Sequence, residues 1–222
     1  VTPGRVRAEQ GQAGERGNGG GAFQVETSRV YIFVGKVGLG HEHAVAGKLK
    51  SGAVQLGASR QAGEIVFDMS AFAADTNEAR EYFGMDRTVP EGRRKEVTDN
   101  MKGAEVLDVR KHPTATFKID SALPLNRKSG DGNDLYCLDG EFTLHGHKRP
   151  LKIDAEISEQ NDGYRLIGSF KIKQTDYGIR PFSKAFGAVG VTDELTIHGD
   201  LVVAPARAAQ TRTAQKREAT RR

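Results

Sequence analysis

Between positions 23 and 203 apolar and polar residues alternate in short runs. Leu166, Phe170 and Ile172 share one face, with Ser169, Lys171 and Lys173 on the other. Leu195, Ile197, Leu201 and Val203 repeat the pattern against Thr196, His198 and Asp200. A period of two marks a strand with one buried and one wet face, as antiparallel sheets have. By this reading strands run over 29–35, 45–56, 63–68, 114–121, 135–144, 151–158, 164–173 and 195–203. Turn residues cluster between them at 127–133, 145–150 and 160–163. The period changes over 77–83 and 93–104, where Val97, Met101 and Ala104 recur at helical spacing in a charged segment. One or two short helices between the third and fourth strands would cover one end of the molecule.

These elements predict an all-β, antiparallel domain, closed as a barrel or folded as a sandwich. With no helical layer to cover a sheet, the apolar faces must meet around an interior. Their mixture of Gly with Leu, Ile and Phe fits either a lumen holding a thin flexible ligand or a core filled by side chains.

Charge changes the picture only at the ends. The formal net charge is +4. The stretch 207–222 carries Arg207, Arg212, Lys216, Arg217, Arg221 and Arg222 against Glu218, so the middle of the chain is slightly acidic. That stretch lacks apolar periodicity and reads as a disordered basic tail. Residues 1–22 read as a disordered Gly-rich leader, leaving 23–206 as the folded domain. The tail's attraction for anionic membranes or nucleic acid is weak, and nucleic acid is not expected as a partner. Cys137 is a lone cysteine in an alternating strand and reads as a packed side chain. No apolar run reaches transmembrane-helix length.

Candidate chemistry is sparse. His41-Glu42-His43 and His145-Gly146-His147 each place two imidazoles on one face of an extended chain. Together His41, His43, His145 and His147 would supply four nitrogen ligands, an alternative reading as a metal-binding barrel. Against it, His145 and His147 flank Gly146 before Lys148-Arg149-Pro150, a turn signature. Asp68 and Asp176-Tyr177-Gly178 are the only acid–base candidates, and residues of this kind beside Gly at strand ends are turn residues. No nucleophile elbow, phosphate loop or dinucleotide fingerprint occurs, so no enzyme activity and no catalytic residue is expected. Lys148 and Arg149 could pair with an anionic head group. His112-Pro113 reads as the start of a strand.

The chain resembles the YceI-like polyisoprenoid- and lipid-binding proteins. The matching segments are VGKVGLGHEHAVAGKLKSG (34–52), GEIVFDMSAFAADT (63–76), NMKGAEVLDVRKHPTATFKI (100–119), YCLDGEFTLHGHKRPLKI (136–153) and the T-D-Y-G-I run within 168–203. Two places depart from the family pattern. The aromatic that often follows one residue after the first His is absent (His41-Glu42-His43-Ala44), and 78–94 differs from the usual short Arg-Asp-rich stretch.

The resemblance implies a single lipocalin-like barrel of about eight strands. It also implies a non-catalytic carrier that sequesters a polyisoprenoid, an isoprenoid quinone, or a fatty acid or amide in its lumen. It needs no cofactor beyond that bound lipid and resides in the periplasm or outside the cell, its export signal not visible in this sequence. On that reading Phe33, Phe67, Phe117, Leu138, Phe142, Ile153, Phe170, Ile172 and Ile197 line the lumen. His41, His43, Arg149, Tyr177, Phe182 and Phe186 stand at the mouth, with 178–193 as an apolar gate. Peripheral membrane contact and a monomeric or homodimeric state complete the expectations.

Overall fold

The computed structural model describes residues 19–86, 89–160 and 163–204. The chain runs β1 (Gly20–Ala22), β2 (Arg29–Gly38), β3 (His43–Gln55), β4 (Gly63–Ala74), α1 (Asn77–Tyr82), α2 (Glu91–Lys102), β5 (Thr114–Lys128) and β6 (Asp134–Leu144). It continues with β7 (His147–Gln160), β8 (Gly163–Lys173), β9 (Ser183–Lys184) and β10 (Val189–Val203), with 3-10 turns at Gln174–Tyr177 and Ala185–Gly187.

Eight long antiparallel strands close a ring in the order β3-β2-β10-β8-β7-β6-β5-β4, sealed by pairing of β4 with β3. The barrel expectation holds and the sandwich does not. Register keeps the apolar faces together: Ile65, Phe117 and Phe142 lie side by side on β4, β5 and β6. Phe117, Ile119, Leu49 and Leu138 are among the fully buried side chains.

The strands β1 and β9 are additions to the ring. The sequence places Gly20–Ala22 in the leader, but these residues pair with Ala53–Gln55 where the β2 ladder on β3 has run out. A bridge from Phe23 to Val203 then joins the segment to β10, closing the barrel at this end. Three short residues carry no periodic signal, which is why composition alone misassigned them. Residues 1–18 of the expected disordered leader, and the basic tail from 207 on, lie outside the described residues.

Two other boundaries shift. The predicted turn over 145–150 shrinks to His145 and Gly146, both with positive φ (50° and 77°), a two-residue hairpin of the kind that matches strand twist. Lys148–Pro150 belong to β7 instead. Pro150 is tolerated because this half of β7 carries a ladder only towards β6; pairing with β8 begins at Ala155. Tyr177 and Ile179, from the turn after β8, are buried at this open end of the barrel, and the turn packs on β7.

The strand β4 runs six residues past its predicted end to Ala74. Thr76 then caps α1 by accepting from the Ala79 N–H at 3.1 Å. The helix α2 lies across the same end and buries no residue completely. Val97 and Met101, of the three residues expected to share one helix side, line the interior, while Ala104 lies beyond the helix and is exposed. Among the described residues no helix is long and apolar enough to cross a membrane.

Candidate ligand cavity

Inside the barrel the open-end half is hollow and the other half is packed. The main cavity has a volume of about 180 Å³. Its wall is apolar apart from His43, Asn100 and Gln174. Of the residues that the resemblance places in a lumen, Phe67, Phe142, Phe170, Ile172 and Ile197 line this cavity. A second cavity of about 40 Å³ lies deeper, lined by the predicted Phe117, Leu138 and Ile153 and by Gly168 and Gly199. Phe67, Phe142 and Phe170 border both. Their rings meet edge to face, at 6.1 Å for Phe67–Phe142 and 5.9 Å for Phe142–Phe170. This aromatic row partitions the lumen into an upper and a lower chamber.

Phe33 does not line the lumen. On β2 the inward side chains are Val30, Ile32 and Val34, and Phe33 packs outside the barrel edge to face on Phe83, with ring centroids 5.7 Å apart. Alternation gives the two faces of a strand but not which is inside. Here both are apolar, because α1 covers the outer one with Ala79 and a stack of Tyr82 on Tyr31.

The mouth residues separate into two groups. His43 and Phe182 line the cavity. His41 and Arg149 are exposed and outside its lining, Arg149 bonding to the Lys148 carbonyl at 2.8 Å. Tyr177 is also outside the lining, buried against Phe142, and burial raises its pKa. Phe186 projects wholly into water. Residues the pattern missed are Met69 and Phe72, on the unpredicted extension of β4, and Val106, Leu107, Ile179 and Gln174, which sit in turns without periodicity.

His43 is the best-supported polar group of the wall. Its Nδ1–H donates to Asp75 Oδ2 at 2.7 Å, leaving Nε2 as the ring's other polar atom. Asp75 is buried and also accepts from the Ala44 N–H at 3.2 Å and Arg80 Nη1 at 3.1 Å. Burial pushes its pKa up, but the bonds from His43, Ala44 and Arg80 outweigh that and hold the carboxyl below its ordinary value. Gln174 is fixed by donating Nε2–H to the Thr192 carbonyl at 2.8 Å. The cavity is thus an apolar chamber with a few positioned polar groups, suited to a hydrocarbon with a polar end.

The four-histidine metal site is not assembled. His43 belongs to Asp75, His41 is exposed, and His145 and His147 lie beside His112, with the His145 and His112 rings 4.4 Å apart. His145 Nδ1 donates to the Tyr177 carbonyl at 3.3 Å. Among the described residues no group of three or more His, Cys, Asp or Glu could hold a metal ion.

Residues 23–203 match the family model described as YceI-like domain. A UPF0312 protein of Pectobacterium atrosepticum is 34% identical over 91 residues, 36% of this chain and 44% of that protein. A UPF0312 protein of Vibrio cholerae is 28% identical over 109 residues, 45% of this chain and 51% of that one. The matches thus span about half the length of these curated relatives. Among solved structures, Burkholderia cenocepacia BcnA superposes with a TM-score of 0.52 at 16% identity, over 82% of this chain and 99% of its own. A polyisoprenoid binding domain from Saccharophagus degradans gives 0.52 at 9% identity, over 85% and 100%. At these identities the likeness is one of fold.

Proposed function

The chain belongs to the YceI-like domain family, and from that premise we propose that it is a non-catalytic carrier of a long apolar molecule with a polar end. A polyisoprenoid, isoprenoid quinone or fatty acid fits that description. The observation that carries the reading is the cavity: a chamber of about 180 Å³ walled by hydrocarbon, with His43, Asn100 and Gln174 as its polar groups. The Saccharophagus degradans barrel of the same fold is a polyisoprenoid binding domain, which favours the isoprenoid among these classes.

Size refines the proposal. An apolar cavity of roughly 150 Å³ takes up one benzene-sized molecule, so the chamber as it stands holds only a short segment of a long chain. A full ligand needs α2 or the 178–193 segment to move outward, or the aromatic row to part. The driving force is ample, since each buried methylene stabilises by about 0.8 kcal/mol, with ordering of ligand and lid offsetting part of it. We place the carrier in the periplasm or outside the cell, where an apolar cargo has to cross water between membranes.

The test is organic extraction of natively purified protein followed by mass spectrometry, with titration of a fluorescent fatty acid into the stripped protein. A co-purifying lipid near one per chain, displaced by the probe, is expected. An empty extract and no probe binding would overturn the carrier reading.

A further inference from the structure

Two segments far apart in sequence, the β2–β3 connection and the β9–β10 connection, are tied together at the open end. Leu39 N–H donates to the Ala188 carbonyl at 2.9 Å, and Gly38 pairs with Val189. From this joined rim Leu39 (82% exposed), Phe186 (113%) and Val37 (43%) stand in water. They are three of the five large exposed apolar residues among the described ones. Ala185 and Phe186 both have positive φ (51° and 54°), so the rim holds the phenyl ring outward in a backbone conformation that non-glycine residues rarely adopt.

The surroundings of the patch identify what covers it. Lys36, Arg180 and Lys184 are exposed around the rim. None of the three is in an ion pair among the described residues, Lys184 lying over the Phe182 ring at 5.3 Å. His41 adds a further nitrogen base and Glu42 the one acid of the β2–β3 connection. Apolar tips projecting beyond a collar of cations match the layering of a bilayer surface, acyl chains beneath anionic head groups. The patch also adjoins the cavity: Phe182 belongs to the same rim and lines the chamber, with Val34 and Val191 behind it. We propose that the Leu39–Phe186 rim docks on the surface of an anionic lipid bilayer, inserting Leu39 and Phe186, so that the cavity opens towards the lipid and not towards water.

This docking rests on the carrier reading for its purpose, and the experiment keeps the two apart. The sequence has no Trp, so Phe186→Trp in the full chain gives a single fluorescent reporter. Mixed with phosphatidylcholine–phosphatidylglycerol vesicles, it should shift its emission to the blue and be quenched by lipids brominated on their acyl chains. Sedimentation with the same vesicles at physiological salt should weaken about tenfold or more in Leu39→Ser/Phe186→Ser, because two inserted apolar side chains are lost. The double variant should still bind a fluorescent fatty acid in solution, since neither residue lines the cavity. Sedimentation without an emission change, or sedimentation equal in the double variant, would mean attraction through charge alone and would overturn the proposal. An emission shift that depends on protein concentration and not on vesicles would assign the rim to a second copy and would also overturn it. Failure of the wild-type protein to bind the fatty acid would count against the carrier reading alone, because the indole emission of the Phe186→Trp variant reads insertion independently.

Discussion

The imidazole of His43 is held at 2.7 Å by the carboxylate of Asp75, a residue 2% exposed that also accepts from Arg80 and the Ala44 N–H. The pair fixes one polar group of an otherwise apolar wall and ties the start of β3 to the end of β4. Asp75→Ala leaves the Arg80 guanidinium, itself largely buried, without this partner. A loss of about 3–5 kcal/mol in urea unfolding is expected, the cost of breaking a buried ionic network. Asp75→Asn retains one acceptor and should cost less. The native contribution has a pH signature. Because the folded carboxyl is held below its ordinary value, the network is fully stabilising above roughly pH 4 and is lost as pH falls through the folded value. An acid limb of unfolding unchanged in Asp75→Asn would refute this assignment.

A second pH effect, of different origin, belongs to the histidines. Burial, and then the neighbouring His112 charge, lowers the pKa of His145; burial alone lowers that of His198, which packs edge-on against the Tyr82 and Phe83 rings. Such groups take up a proton more readily in the unfolded chain. Stability should therefore decline as pH drops below roughly 6.5 and level off only beneath the depressed folded values. His145→Asn suits the positive φ at this turn position and removes one of the two groups. Its melting temperature should vary less between neutral and mildly acidic pH than that of the wild type. Parallel curves would show that His145 titrates normally.

The aromatic row gives the lumen a length scale. Phe142→Ala should join the two chambers and shift preference towards longer acyl chains, at a cost of about 3–5 kcal/mol to the empty protein. Gly199→Ala acts in the opposite sense. Its added methyl meets nothing nearer than Leu201 Cγ at 3.7 Å, so it fits and fills part of the lower chamber. Stability should hold or rise by up to about 1 kcal/mol, while the longest chains lose affinity. Competition by saturated fatty acids of increasing length reads both changes, and an unaltered length profile in Phe142→Ala would show that the row is no barrier.

These residues also mark how far the sequence alone reaches. Phe117, Phe142 and Ile197 were legible as interior because the residues on either side of each along its strand are polar. Phe33 was not, because α1 makes the outer face of β2 apolar too, and alternation then loses its sign. The pairing of Gly20–Ala22 was hidden for another reason. A β-strand of small residues has no pattern, and its place depends on a gap between β3 and β10 that only the closed barrel creates. His43 was named from a motif, but Asp75, which orients it, sits 32 residues away with no local signal.

That hidden strand makes its own prediction. A Cβ at Gly21 would lie 1.6 Å from the Ala204 carbonyl oxygen, a backbone atom that cannot swing aside. Gly21→Ala should thus unseat β1 and lower stability by about 1–3 kcal/mol, the range of local packing defects. Hydrogen exchange should rise in the Leu56 and Ala204 amides, which bond to Gly19 and Ala22. Protection equal to the wild type would mean that β1 contributes nothing to closure.

The lid offers the most direct kinetic test. The helix α2 has no completely buried residue, yet Val97 and Met101 roof the cavity. It is tied to β4 by two bonds: the Ala74 N–H donates to Thr98 Oγ1 at 3.0 Å, and Lys102 Nζ to the Ser70 carbonyl at 2.6 Å. A segment with so little burial opens locally without global unfolding. Thr98→Val keeps the shape and removes the acceptor, a loss of about 1 kcal/mol confined to the closed lid. If ligand leaves through this opening, release of a bound fluorescent fatty acid in stopped-flow dilution should accelerate about fivefold, as that free energy implies, with little change in melting temperature. Thr98→Ser, which retains the hydroxyl, should release at the wild-type rate. Equal rates in all three proteins would rule out α2 as the moving part and leave the 178–193 segment as the route.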